Sequence, residues 1–166
     1  MTLIDGIGKT TTIPCAYCFS NLFSGNKCVD ARNLSLPATT LLRNCYSNLL
    51  NGCSELIYPP QILPATTLAT YCYTNFFMND TKLIESPILP APALLEQSYY
   101  GMFYGCSALK KITCYATTGI NTNKSTESWV YGAPTGNTGN FYKASSVSWP
   151  SGVNGIPTGW TIHTSL

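Results

Sequence analysis

A six-residue motif that recurs at nearly constant spacing constrains this chain more than any other feature. Residues 36–41 read Leu-Pro-Ala-Thr-Thr-Leu, and the same six letters return 27 residues later at 63–68. A variant, Leu-Pro-Ala-Pro-Ala-Leu, starts 26 residues after that, at 89–94. Periods of this length are typical of repeat proteins, in which one copy cannot bury its apolar face alone and stacks on the next. The chain is therefore predicted to be a repeat array.

A second motif keeps the same step and shows how many copies there are. It reads Cys-Phe-Ser-Asn at 18–21, Cys-Tyr-Ser-Asn at 45–48, Cys-Tyr-Thr-Asn at 72–75 and Ser-Tyr-Tyr-Gly at 98–101. Four copies are thus visible, and the first is degenerate, as terminal repeats often are. The predicted division of the chain is 1–9 as an N-terminal extension or attachment segment, 10–115 as a repeat solenoid, and 116–166 as a β-rich C-terminal cap.

Within one copy, the apolar pattern predicts a short helix followed by a short strand. Leu41, Cys45 and Leu49 stand four residues apart, which places them along one helix face. Gly52 follows as the stop, because glycine adopts the left-handed conformation most easily. Residues 56–58 then read as a single strand bounded by prolines. The predicted fold class is an α+β repeat solenoid of about four coils, each with a short strand, a turn and a short helix.

Stacking of such coils aligns equivalent apolar positions into a continuous core. Each predicted column takes one residue from every copy. The three columns are Leu22/Leu49/Phe76/Met102, Phe23/Leu50/Phe77/Phe103 and Val29/Leu56/Leu83/Leu109.

The tail after about residue 116 shows no visible period. It is rich in Gly, Thr, Asn and Ser, with Gly-Asn, Ser-Gly and Asn-Gly pairs that favour turns between short antiparallel strands. Because an open end of a repeat stack exposes apolar residues and unpaired strand edges, the tail is predicted to cap the last coil.

The unit Leu-Pro-Ala-Thr-Thr-Leu, then Cys-Tyr-Ser/Thr-Asn, then Gly-Cys-Ser and Leu resembles the BspA-like leucine-rich repeat family of surface proteins. The likeness covers about 10–115 and is clearest at 36–56 and 98–109. It implies a leucine-rich-repeat-like solenoid and a non-enzymatic binding or adhesion module on a cell surface. It implies no catalytic residues and no cofactor.

The eight cysteines have three possible interpretations. Cys18, Cys45 and Cys72 share one repeat position, and Cys53 and Cys106 share another, so they are interpreted as buried thiols that fill the core. Column mates also lie within disulfide range of each other, which leaves a disulfide framework as an alternative. Cys15-x-x-Cys18 is half of a zinc knuckle whose second half is missing, so a metal site is the weakest of the three.

Composition removes several function classes. Only 10% of the residues are charged and the net charge is +2, which argues against the clustered positive charge that nucleic acid requires. No apolar run reaches the ~20 residues of a membrane span, and the first residues lack the pattern of a secretory signal. His163 is the one imidazole, and no residue is placed to act with it in catalysis. An enzyme is therefore not expected.

Candidate ligand contacts come from the strand columns and the tail. The register places Glu55 beside Lys82 and Glu85 beside Lys111, with Tyr58 in the column of the second pair. These pairs either only help to fix the register between coils or form the polar face on which a ligand lies. Trp129 and Tyr131 are the aromatic candidates in the tail. Five further tyrosines are interpreted as half-buried packing residues: Tyr46, Tyr73, Tyr99, Tyr100 and Tyr104. The alternative is that they form a row that binds a ligand.

Two functions remain open at this stage. The first is an extracellular or cell-surface module that binds a protein or glycan ligand on a host or neighbouring cell. The second is a structural component of a larger assembly, such as a fibre or a virion appendage used for host attachment, in which other chains of that assembly are the partners.

Overall fold

A four-stranded parallel sheet organises the described chain. The computed structural model describes residues 12–164. Its strands are β1 (Glu85–Leu89), β2 (Lys111–Cys114), β3 (Asn140–Lys143) and β4 (Thr161–His163). They lie side by side in chain order, and every pairing is parallel. Isolated parallel bridges, such as those of Asp30 with Tyr58 and of Ile62 with Ile88, carry the same pairing into the earlier copies. The described chain is thus a stack of coils, each with one extended segment in the sheet.

The return path of each coil is a ten-residue run of tight turns, which we call a turn ribbon. Its N–H groups alternate between two uses. The N–H of Cys45 closes a turn onto the carbonyl of Leu42 (3.2 Å), whereas the N–H of Tyr46 donates to the carbonyl of Cys72 in the next coil (3.1 Å). Half of the ribbon's N–H groups therefore join coils, as strands do in a sheet. The five ribbons cover 16–25, 43–52, 70–79, 96–105 and 123–132.

The predicted short helices are wrong, because no residue between 12 and 164 is helical. The spacing of four that predicted them comes from the ribbon, in which every fourth residue has positive φ: Asn44 (53°), Asn48 (53°) and Gly52 (74°). Asn and Gly tolerate this left-handed conformation, which an α-helix does not contain. The α+β leucine-rich-repeat solenoid is thus replaced by parallel strands and turn ribbons.

The tail also differs from expectation. Its ribbon, 123–132, begins 27 residues after the ribbon at 96–105, so a fifth copy follows the four visible ones. β3 and β4 pair in parallel with the preceding strands, and the expected antiparallel strands are wrong. The sequence hid this copy because little of the motif survives in it beyond Tyr131-Gly132, the counterpart of Tyr104-Gly105.

A loop at 149–157 lies across the fifth ribbon and takes the place of a further one. The side-chain oxygen of Asn154 accepts a hydrogen bond from the N–H of Ser128 (2.7 Å), and Nε1 of Trp129 donates to the carbonyl of Gly155 (2.7 Å). The N–H of Val130 also donates to the carbonyl of Val153 (3.2 Å). The loop therefore accepts hydrogen bonds from two backbone N–H groups of the last ribbon, as the next ribbon does in earlier coils. The segment expected at 1–9 lies outside the described residues.

The core runs along the stack between the sheet and the ribbons. Leu56, Leu83 and Leu109 are each fully buried, as their column predicts. The first described coil departs from its columns, because Leu22 is 50% exposed and Val29 is 49% exposed. An aromatic ladder with ring centroids 5.7–6.3 Å apart follows the core: Phe19, Tyr46, Tyr73, Tyr99 and Trp129.

The cysteine columns are buried free thiols, so that prediction is confirmed for Cys45, Cys53, Cys72 and Cys106, while Cys18 is half-buried. Burial raises the pKa of the Cys45 and Cys53 thiols to about 12. The Cys53 thiol donates to the carbonyl of Phe23 in the preceding coil (3.2 Å). Within 12–164, no group of three or more His, Cys, Asp or Glu side chains is placed to hold a metal ion.

Asp80 occupies the column position of Cys53 and Cys106 and is fully buried. Neither of its carboxyl oxygens has a hydrogen-bond partner among the described residues. Burial raises its pKa to about 9. The native protein therefore holds a neutral carboxylic acid at neutral pH where the neighbouring coils hold thiols.

Candidate ligand-binding face

The outward side of the parallel sheet, which we call the strand face, consists of two adjacent columns of side chains. Successive residues of a strand point to opposite sides, and the inward neighbours Ile112 and Phe141 are fully buried. A bulge between Glu85 and Ile88 lets both of these residues face outward. The first column is Tyr58, Glu85, Lys111, Asn140 and Thr161, and the second is Ile62, Ile88, Thr113, Tyr142 and His163.

The charge pairs expected between coils are present. Nζ of Lys111 lies 3.2 Å from Oε2 of Glu85, and Nζ of Lys82 lies 2.5 Å from Oε2 of Glu55. The hydrogen bond from Lys82 lowers the pKa of the Glu55 carboxyl. Exposed pairs of this kind contribute about 0 to 1 kcal/mol each, so their main effect is on register and surface charge.

Arg32 covers the N-terminal end of the strand face. Its guanidinium lies 4.5 Å from the ring centroid of Tyr58 and pairs with Asp30 at 2.5 Å. The hydrogen bond from Arg32 lowers the pKa of the Asp30 carboxyl. The aromatic ring of Tyr58, one of the expected ligand contacts, is thus partly covered by a cation that is itself neutralised.

A hollow of about 180 Å³ opens beside the Glu85–Lys111 pair. Its lining combines paired charges, an amide, and proline and isoleucine side chains. Ligand sites are concave and combine apolar surface with a few polar groups; this hollow has polar and apolar surface in about equal parts and is smaller than most such sites. It is lined by Arg32, Pro59, Pro60, Gln61, Glu85, Ser86, Ile88, Lys111 and Thr113.

The structure separates the predicted contact residues. Tyr58, Glu85 and Lys111 come together on the strand face, whereas Glu55 and Lys82 pair before the strands begin and do not line the hollow. The other two candidates, which are in the fifth ribbon, do not reach this face.

The two aromatic candidates of the tail lie in different environments. Trp129 is 0% exposed, because it occupies the core column of Met102, and it therefore offers no surface to a ligand. Tyr131 is 51% exposed and stacks on Tyr104 with ring centroids 4.8 Å apart, on the ribbon side of the stack. Of the tyrosines interpreted as half-buried, Tyr46, Tyr73 and Tyr99 are fully buried.

A cluster at the other end of the strand face was not anticipated. Tyr142 and His163 stack with centroids 4.5 Å apart and planes 13° apart, and both rings are half-buried. Nε2 of His163 lies 2.8 Å from Oδ1 of Asn140. The available signal was the alternation in Asn140-Phe141-Tyr142-Lys143, which predicts a strand with Asn140 and Tyr142 on one side.

No family model, curated protein or solved structure matches this chain. The resemblance to BspA-like surface proteins therefore stays a prediction.

No helix in the part of the chain that the structure describes is long and apolar enough to cross a membrane.

The strand face is electrically balanced. Each charged side chain in and around its hollow has a partner of opposite sign: Arg32 pairs with Asp30, and Lys111 pairs with Glu85. The potential over this face is consequently weak.

Proposed function

We propose that this chain is a non-enzymatic recognition module that works outside the cell, where its strand face holds a protein or glycan on a host or neighbouring cell. The observation that carries the proposal is the hollow beside the Glu85–Lys111 pair, which Arg32, Gln61 and two prolines also line. The neutral coat of Thr, Ser and Asn and the 10% charge content suit an extracellular surface.

Rigidity supports the same proposal. The strands that present Glu85, Lys111 and Asn140 are joined by continuous parallel pairing, and the ribbons behind them are joined by a second set of hydrogen bonds. Side chains held on such a frame lose little conformational freedom on binding, which favours affinity. Two hydrogen-bonded layers therefore fix the geometry of the strand face before a ligand arrives.

Substitution of the face charge tests the proposal. Lys111→Glu places two carboxylates beside the hollow, and we expect binding of the fluorescently labelled protein to epithelial and bacterial cells to fall at least fivefold by flow cytometry. Lys82→Glu is the matched control, because it places the same repulsion beside Glu55 away from the hollow, and it should change binding less than twofold. Equal binding by both variants and the parent protein would show that the strand face is not the contact surface.

A second candidate function, a structural component of an assembly, is favoured by the first described coil. Leu22 and Val29 expose half of their surface at positions that are buried in later coils. A hollow of about 280 Å³ lies at this end, with Phe23 and Leu50 in its lining. We propose that, in this alternative, the exposed end of the core packs on the same end of a second copy, since the loop at 149–157 closes the other end.

Sedimentation velocity tests this alternative. The parent protein should form a dimer as its concentration rises, and Leu22→Asp should remain monomeric, because a carboxylate in an apolar contact is costly to desolvate. Leu95→Asp is the control, since Leu95 is also exposed (44%) but lies away from this end. A parent protein that is monomeric at every concentration would remove the alternative.

A further inference from the structure

We propose that the strand face binds a neutral oligosaccharide, with Tyr142 and His163 as the aromatic platform for one sugar unit. The proposal rests on the recognition function above and names its ligand class. It is carried by the Tyr142–His163–Asn140 cluster, by the charge balance of the face and by the way in which the sheet uses its backbone.

The cluster has the properties of a prepared aromatic surface. The two rings are nearly parallel at 4.5 Å, and the contact between Nε2 of His163 and Oδ1 of Asn140 (2.8 Å) holds the imidazole in place. Flat aromatic side chains supply a large contact area and lose little conformational entropy on binding. Stacking covers one face of each ring, so a pyranose would place its apolar C–H face on the side of the pair that stays exposed.

Because the charged side chains on the strand face are already paired, the face favours an uncharged ligand. The cations beside the hollow, Arg32 and Lys111, already pair with Asp30 and Glu85. An anionic or cationic ligand would have to displace one of these partners, whereas a sugar hydroxyl can accept from or donate to both members of an intact pair. A neutral polyol therefore fits the face better than a charged ligand does.

The side chains on the strand face carry groups that can form hydrogen bonds with sugar hydroxyls. Tyr58, Gln61, Asn140 and Thr161 supply hydroxyl and amide groups along the first column and the hollow. From the coil of Tyr58 to β4 they extend over four strand spacings, about 19 Å. This length suits a short oligosaccharide better than a single sugar.

An extended peptide is a poorer match. Peptides that bind sheets usually add a strand at a free edge, where backbone groups are unpaired. On this face, the N–H and C=O groups of β2 are used in pairing with β1 and β3, so the surface between the edges offers side chains alone. A ligand recognised through its hydroxyl groups needs no free backbone.

A printed array of neutral hexasaccharides of glucose, mannose, galactose and N-acetylglucosamine, with sialylated and sulfated glycans beside them, tests the proposal. We expect binding to at least one neutral series and weaker binding to the charged glycans. By isothermal titration calorimetry with the best neutral hexasaccharide, Tyr142→Ala should lower affinity at least tenfold. Tyr131→Ala is the matched control, since it removes a ring from the stacked pair on the ribbon side, and it should change affinity less than twofold.

The one histidine of the chain provides a direct readout. Titration with the same hexasaccharide should shift the proton NMR signals of the His163 imidazole. The Lys82→Ala variant should show the same shift. Binding that persists in Tyr142→Ala, an unmoved imidazole signal, or an array with charged glycans as its only positives would overturn the proposal. If cells are bound in a Lys111-dependent manner while the neutral hexasaccharides are not, the glycan proposal fails and the recognition function stands; if neither is bound, both fail.

Discussion

Leu83→Asp is expected to abolish cooperative thermal unfolding. Leu83 is fully buried between Leu56 and Leu109, in the middle of the stack. An unpaired carboxylate in such a site costs several kcal/mol, which is comparable with the 5–15 kcal/mol that separates the folded and unfolded states of ordinary domains. Because each coil contacts mainly its neighbours, a defect in a central coil also disconnects the coils on either side. Calorimetry and near-ultraviolet circular dichroism measure the loss.

The neighbouring residue supplies the control for this substitution. Lys82 is exposed and pairs with Glu55, so Lys82→Ala should lower the free energy of unfolding by less than about 1 kcal/mol. A sharp unfolding transition in Leu83→Asp, or an unfolded Lys82→Ala protein, would contradict the assignment of the inner and outer sides of the strands.

Asp80→Asn is expected to stabilise the protein at pH 8 and to flatten the pH dependence of its stability. Burial raises the pKa of Asp80 to about 9 from an ordinary value of 3.8. Below about pH 4 the carboxyl is protonated in both states. As the pH rises towards 9, the unfolded chain releases the proton while the folded chain keeps it, so stability falls by up to about 1.4 kcal/mol per pH unit. The amide has no such proton to lose.

Urea denaturation at pH 5 and pH 8 measures this effect. The parent protein should lose stability between the two values, and Asp80→Asn should gain at least about 2 kcal/mol over it at pH 8. A second variant, Asp80→Cys, gives position 80 the thiol that Cys53 and Cys106 have in the same column. The titratable groups facing Asp80 are the thiols of Cys28, Cys53 and Cys106. A parent protein as stable at pH 8 as at pH 5 would show that Asp80 is not a buried acid.

The repeat made the stacking, the central core columns and the cross-coil ion pairs predictable, because each follows from period and register alone. The path between the strands was not predictable in the same way. Apolar residues four apart suit one face of a helix and equally a ribbon of turns, and the deciding feature was the Asn or Gly at every fourth position, as at Asn44, Asn48 and Gly52. Local backbone preference outweighed hydrophobic spacing there.

The candidate site was predictable where the motif survives and obscure where it does not. Glu85 and Lys111 come from clear copies, so their contact followed from the register. Tyr142 and His163 belong to strands whose spacing from β2 no longer matches the period, and only the parallel pairing of β2, β3 and β4 brings them to the same face. Trp129 was mistaken for a surface residue because its column mates were not recognised.

The hydrogen bonds between turn ribbons also bear on how such a chain changes length during evolution. The backbone bonds that join one ribbon to the next recur at nearly the same steps from coil to coil, as between Tyr46 and Cys72 and between Tyr73 and Ser98. An internal duplication of one 27-residue unit would therefore meet compatible neighbours above and below without any new interface. The closing loop at 149–157 would stay in place, and the strand face would lengthen by one strand width, about 4.8 Å, for each unit gained.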